Sequence, residues 1–273
     1  MTILGKNYKN ALQTYELLSQ YEKEQSLINP VGQGLEIIFV LSQSYPVEDI
    51  SDFFDGSNFS MTEAYHEFEA SYEITKLGFF KQGLMSLRTG FEIGVLSTYW
   101  SVIGKGDRTF SNWLKAREKT PFSKDIQKKL LTNKNIGIFD KEYPIKSFFK
   151  DLEVLHNYVH TKGVPYSNFG ELQKLMRKEE SSETLFERWL EIFKKCLQLV
   201  VILHLLRFPI ASLNYNFVKK FGTTNKSPLC GGLFGDYQEH LTYFVGEDKL
   251  NFIQDICETY KTQISDFLMW VDE

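Results

Sequence analysis

Apolar residues recur at three- and four-residue steps along most of the chain, which is the period of a helix with one buried face. Between Tyr8 and Leu27 the stripe is Tyr8, Ala11, Leu12, Tyr15 and Leu18, set among Lys, Gln and Glu. Asn29-Pro30 interrupts it. Gly34 to Leu41 is a short apolar run that fits a helix or a strand equally. Ser44 to Ser60, carrying Pro46, Asp49, Asp52, Asp55 and Gly56, reads as a connecting loop. Ser60-Met61-Thr62-Glu63 has the spacing of a capping box, and it predicts a helix running to Leu77 with Gly78 as its stop. Phe80, Leu84, Leu87, Phe91, Val95 and Tyr99 then share one stripe, predicting a helix from Phe79 to about Val102 ended by Gly104 and Gly106.

A connector follows, with Trp113-Leu114, Pro121 and a short helix around Ile126 to Leu131. The pattern next predicts one helix from Pro144 or Ile145 to about His160, before Gly163-Val164-Pro165. Glu183 to Phe208 is a long, strongly apolar helix stopped at Pro209, whose ring disfavours α geometry in the residue before it. Gly222 to Gly235 is loop-rich, Leu241 to Val245 fits a short strand, and Asp248 to Val271 reads as an amphipathic helix. No repeat and no low-complexity tract is visible.

Composition narrows the class. With 42% hydrophobic and 15% aromatic residues over 273 positions, the chain has the material for a large core and lacks the profile of a disordered one. The longest apolar stretch, Leu197 to Leu206, is half the length needed to cross a bilayer, so no membrane association is expected. Met1 to Lys6 lacks the basic-then-apolar order of a secretory signal. Cys196, Cys230 and Cys257 are odd in number and widely spaced, which suggests neither a disulfide framework nor a zinc knuckle. A cytoplasmic protein is the expectation. The net charge of −4 argues against indiscriminate coating of DNA. That average conceals an asymmetry: Lys115, Arg117, Lys119, Lys124, Lys128, Lys129 and Lys134 face only Glu118 and Asp125 between Trp113 and Lys134. With Trp113 and Phe122 interleaved, this segment could contact RNA, or it could be a solvated connector.

Chemistry-bearing motifs are few. Phosphate-binding glycine loops, HExxH, GxSxG and zinc-deaminase signatures do not occur, and no cofactor is expected. His156 and His160 stand four residues apart, hence on one face near a helix C-terminus, with Asn157 three residues before His160. The helix dipole there favours a charged imidazole. A pair at this spacing can bind a metal, but no companion carboxylate motif is present, and no metal is expected. Capping and surface exposure is the plainer alternative. Arg88 and Glu92, also four apart, flank the apolar stripe of the earlier helix, where a charge needs a partner; an ordinary intrahelical ion pair is the simpler reading.

Leu87-Arg88-x3-Glu92, a Trp-containing connector and a helix ending in Asn157-Tyr158-Val159-His160 together resemble the HEPN superfamily over roughly residues 60–208. The resemblance implies an all-α, HEPN-like helical bundle over residues 60–221. It would carry an N-terminal helical extension over 1–59 and a small mixed C-terminal appendage over 222–273. It further implies a homodimer and a role in host-defence or toxin systems. Active members of the family are metal-independent endoribonucleases in which an Arg stabilises phosphorane charge and a His moves the 2′-hydroxyl proton. His160 falls on the family's His, whereas residues 153–155 are Glu, Val and Leu where the Arg would stand. The expectation is therefore an accessory or sensor subunit that binds a protein partner or RNA. The alternative is an endoribonuclease using His160 and Asn157, with Arg88 and Glu92 supplied by the neighbouring helix. Lys115, Arg117, Lys119, Lys124, Lys128, Lys129 and Lys162 are the candidate nucleic-acid contacts.

Overall fold

A computed structural model describes residues 30–43, 58–104, 107–208 and 237–256, all of whose regular elements are helical. In chain order they are α1 (Pro30–Gln43), α2 (Phe59–Lys76), α3 (Phe80–Ile103), α4 (Arg108–Leu114), α5 (Ser123–Leu130) and α6 (Lys134–Glu142). There follow α7 (Ile145–Asp151), α8 (Glu153–Val159), a 3₁₀ turn (Val164–Tyr166), α9 (Asn168–Met176), α10 (Ser182–Arg207), α11 (Tyr237–Val245) and α12 (Glu247–Ile256). The all-α expectation holds for the described residues. The helix expected over 8–27 and the glycine-rich stretch 222–235 lie outside them, as does most of the loop expected over 44–60.

The core is an antiparallel hairpin of α2 and α3 laid against α10. Leu77 ends α2, Gly78 turns the chain at φ 80°, and Phe79 starts α3. Apart from His204, helix α10 is apolar on every side from Leu199 to Leu206, and all of these residues are buried. A helix of that kind must be surrounded. It is covered by α3, α1, α6, α7, α11 and α12. Close approach depends on small residues of α3: a Cβ on Gly94 would meet both Val200 methyls at 2.9 Å, and one on Gly83 would meet Thr75 Oγ1 at 2.0 Å. An aromatic stack of Tyr72, Trp189, Phe186 and Phe193 fills the centre. Within it the Trp189 indole donates to Ser71 Oγ at 2.9 Å, and Ser71 Oγ donates to the Gly83 carbonyl at 2.7 Å. Three helices are thereby joined through one buried hydroxyl.

Several sequence expectations are corrected. The run from Leu241 to Val245 is the second half of helix α11, not a strand. Leu241, Phe244 and Val245 are buried at helical spacing, and Gln198 donates to the carbonyls of Phe244 and Val245 at 3.0 and 3.2 Å, satisfying the helix end. With that, the described part of the C-terminal segment is helical and not mixed. Ser60 is not an N-cap: α2 starts one residue before it, Ser60 is buried within the first turn, and Asn58 occupies the cap position without a side-chain hydrogen bond. Pro30 opens a helix instead of merely ending one, since its missing N–H is no loss in a first turn.

The single helix expected to end near His160 is two short ones meeting at Leu152. There the Leu152 and Leu155 amides bond three residues back, to Phe149 and Leu152. This tightening keeps Ile145, Leu152 and Leu155 all buried on a curved path. The apolar pattern does not predict helices α4, α6 and α9. Each is short, and each starts at a side-chain cap, from Asp107, Asn133 and Ser167.

Candidate functional site

Helix α8 packs on α3, and this contact assembles the residues singled out by sequence. The His156 and His160 rings lie side by side with centroids 4.2 Å apart and planes inclined by 52°, one helical turn from each other. Across the interface, Arg88 Nε donates to Glu92 Oε1 at 2.8 Å. Arg88 is mostly buried at 22% side-chain exposure, Glu92 is exposed at 54%, and the Arg88 Nη1 nitrogen has no hydrogen-bond partner among the described residues. The guanidinium is near enough to act on His156. Desolvation first, then the His160 ring and the charges of Arg88 and Lys162, pull His156 below its usual 6.5, with Glu92 opposing. The dipole-based expectation of a charged imidazole thus fails at His156. A seven-residue helix has a weak dipole, and its neighbours here are cationic. At neutral pH this imidazole is a base.

The end of α8 is fixed by its backbone. Lys162 N–H donates to the Asn157 carbonyl at 2.9 Å and Thr161 N–H to the Tyr158 carbonyl at 3.2 Å, with Thr161 left-handed at φ 45°. These paired bonds are a Schellman closure without its usual glycine. Lys81 Nζ, on the first turn of α3, donates to Thr161 Oγ1 at 2.7 Å and ties the two elements together. Asn157 is half-buried in the same turn. Arg88, Glu92, His156, His160 and Lys162 therefore share one surface.

The basic connector lies elsewhere. Helix α5 packs on the C-terminal half of α3, where Asp125 and Asp107 act on Tyr99. Arg88 and Tyr99 are eleven residues apart on one helix, about 16 Å along its axis. Lys115, Arg117, Lys119, Lys124 and Lys128 are exposed there, while Lys129 is half-buried. Phe122 is 81% exposed and free to stack. Trp113 is not: its ring packs on Trp100 at 5.3 Å and its Nε1 donates to Thr120 Oγ1 at 3.1 Å.

A third cluster carries no signal in the sequence. Glu171 of α9 is 6% exposed, and burial lifts its carboxyl to about 7 against the pull of Arg188. Beside it Arg188 pairs with Glu180, which also accepts from Lys174 at 3.0 Å, and the buried Tyr158 hydroxyl faces the same guanidinium. Glu171 stands in an unremarkable polar stretch, so only its packing reveals it.

Among the described residues no group of three or more His, Cys, Asp or Glu side chains is placed to hold a metal ion, and no helix is long and apolar enough to cross a membrane. No protein-family model, curated protein or solved structure matches the chain.

Proposed function

We propose that the chain is a HEPN-like accessory or sensor subunit of a host-defence or toxin system, acting in the cytoplasm as a homodimer and binding a nucleic acid or protein partner without catalysis. The observation that supports this reading is the surface where Arg88, His156, His160 and Lys162 meet, with Lys81 at its edge. Guanidinium, imidazole and ammonium groups on one face suit the phosphates of RNA. Catalysis fits less well. The Arg88 charge is already engaged by Glu92 at 2.8 Å, which reduces what it could offer to a phosphorane.

The second reading, a metal-independent endoribonuclease using His160 with Arg88, is favoured by one fact: the arginine and the histidine pair do come together from separate helices. Incubation of the purified protein with labelled RNA in EDTA separates the two. Under the accessory reading the RNA stays intact and binds with an affinity that falls steeply with salt, weakened further by Arg88→Ala and Lys162→Ala. Cleavage abolished by His160→Ala would transfer the assignment to the nuclease. Absence of any salt-dependent binding would remove RNA as the ligand.

A further inference from the structure

The connector between α4 and α5 is pinned at both ends. Ala116 N–H donates to the Trp113 carbonyl at 2.9 Å and Arg117 N–H to the Asn112 carbonyl at 2.8 Å, with Ala116 left-handed at φ 54°. The chain thus leaves α4 through a closed Schellman turn. Trp113, packed on Trp100, then donates across the loop to Thr120 Oγ1 at 3.1 Å. Between these ties residues 115–120 are all exposed, and after half-buried Pro121 so are residues 122–125. The loop therefore presents its side chains to solvent from a fixed backbone, which lowers the ordering cost of any ligand it takes.

Lys115, Arg117, Lys119, Lys124 and Lys128 are exposed, and none forms an ion pair among the described residues. Lys124 and Lys128 stand one turn apart on α5, on the side away from buried Ile126 and Leu130. Two carboxylates share the segment. Glu118 Oε1 accepts from the Lys119 amide at 3.2 Å, and Asp125 acts on Tyr99. Lys129 is set apart, being half-buried with its charge acting on Asp107. Phe122, just before α5, is 81% exposed, the most exposed large apolar side chain among the described residues. It belongs neither to the core nor to the side chains packed against it.

Five unpaired cations on a chain of net charge −4 call for an anionic ligand, and the free ring beside them selects which one. An acidic peptide would engage the cations and leave Phe122 in water. A duplex offers phosphates, but its bases are stacked on one another. An anionic membrane is held by a broad apolar helix face, whereas Ile126 and Leu130 of α5 point inward. A single strand supplies both a phosphate backbone and open base faces, and an aromatic side chain can stack on any of them. We propose that residues 115–128 form a single-strand nucleic-acid surface on which Phe122 stacks a base and Lys115, Arg117, Lys119, Lys124 and Lys128 neutralise phosphates. The inference rests on the nucleic-acid reading above for the class of ligand and seats it on another face, since α5 packs about 16 Å along α3 from Arg88.

The test is fluorescence anisotropy of the whole chain with labelled oligothymidylate and oligouridylate of about fifteen nucleotides, and with a duplex of the same length. Both strands are expected to bind, with affinity falling roughly twenty- to hundredfold between about 50 and 200 mM salt as three to five phosphates are neutralised. Lys124→Ala/Lys128→Ala should make the log–log salt slope shallower by about 1.4. Phe122→Ala should weaken single-strand binding at least about fivefold while leaving the slope and the duplex affinity unchanged. Phe122→Trp should bind as the parent does and Phe122→Leu should not. These side chains are exposed, so the thermal midpoints of the variants should not move. A stronger hold on uridylate would identify the source as RNA, and equal affinity any open single strand. Loss of binding in Arg88→Ala/Lys162→Ala with none in the Phe122 and lysine variants would overturn this inference and leave the proposed function standing. Absence of strand binding would overturn it together with the RNA ligand of that reading. Equal losses for strand and duplex in Phe122→Ala, or capture by phosphatidylserine vesicles in place of strands, would also overturn it.

Discussion

Two buried ionisable groups should set opposing pH dependences of stability, and their balance can be measured. His204, fully buried on α10, is pushed down to about 3 by desolvation and by Arg207, so the folded protein keeps it neutral. The unfolded chain takes up a proton near 6.5. Acid therefore favours unfolding, and stability is lost as pH falls from 6.5 towards 3, by roughly 5 kcal/mol over the whole window. Glu171 acts in the other direction. Its folded carboxyl holds the proton up to about 7 while the unfolded one releases it near 4.5, so stability is present below 4.5 and is lost as pH rises to 7, by roughly 3 kcal/mol.

Between 4.5 and 6.5 each group contributes about one proton of opposite sign, and their contributions cancel. Glu171→Gln removes one side of that balance. Urea midpoints measured at constant ionic strength should show the variant gaining on the parent by about 1.4 kcal/mol per pH unit from 4.5 to 7, and no further change below 4.5. Taking the difference between variant and parent removes the exposed carboxylates common to both. A difference that stays flat across this window would refute the claim that Glu171 is protonated in the folded protein.

The remaining expectations concern packing and turns. Gly94→Ala should destabilise by about 1–3 kcal/mol, because the new methyl meets Val200 at 2.9 Å; Val200→Ala should recover part of that loss, and additive effects in a double-mutant cycle would deny the contact. Lys178 and Ala116 close helices α9 and α4 at φ 58° and 54°, both exposed. Replacing either by Gly should raise stability by about 0.5–1 kcal/mol, as the relief of left-handed strain exceeds the entropic cost of glycine, and an unchanged or lower thermal midpoint would contradict this.

The long helices were legible because each carries its own periodic signal. The stripe from Phe80 to Tyr99 and the apolar run ending at Leu206 give α3 and α10 to within a residue or two. Short elements carry too few turns for a period to show. Their starts at Asp107, Asn133 and Ser167 are single capping residues, which are common outside helices as well. Leu241 to Val245 has the composition of a strand, and the Gln198 amide on a distant helix satisfies it as α11 instead. Arg88, His156 and His160 could be named from spacing, but their meeting required the α3–α8 contact, which no local pattern encodes. Glu171 could not be named at all. A carboxylate becomes unusual only when other helices remove its water, and Leu77, Phe80 and Tyr158 come from three of them.

The relay of Trp189, Ser71 and Gly83 has a direction. An indole N–H can only give a hydrogen bond and a carbonyl can only take one, so the hydroxyl between them must take with a lone pair and give with its proton. That leaves the hydroxyl rotor a single orientation and restricts position 71 to serine or threonine. Alanine would strand both ends, and a carboxylate would meet the carbonyl with no proton to offer. The mutual position of α2, α3 and α10 is thus written into the polarity of one side chain, and reversing either end of the relay would leave the same atoms in place with no bond between them.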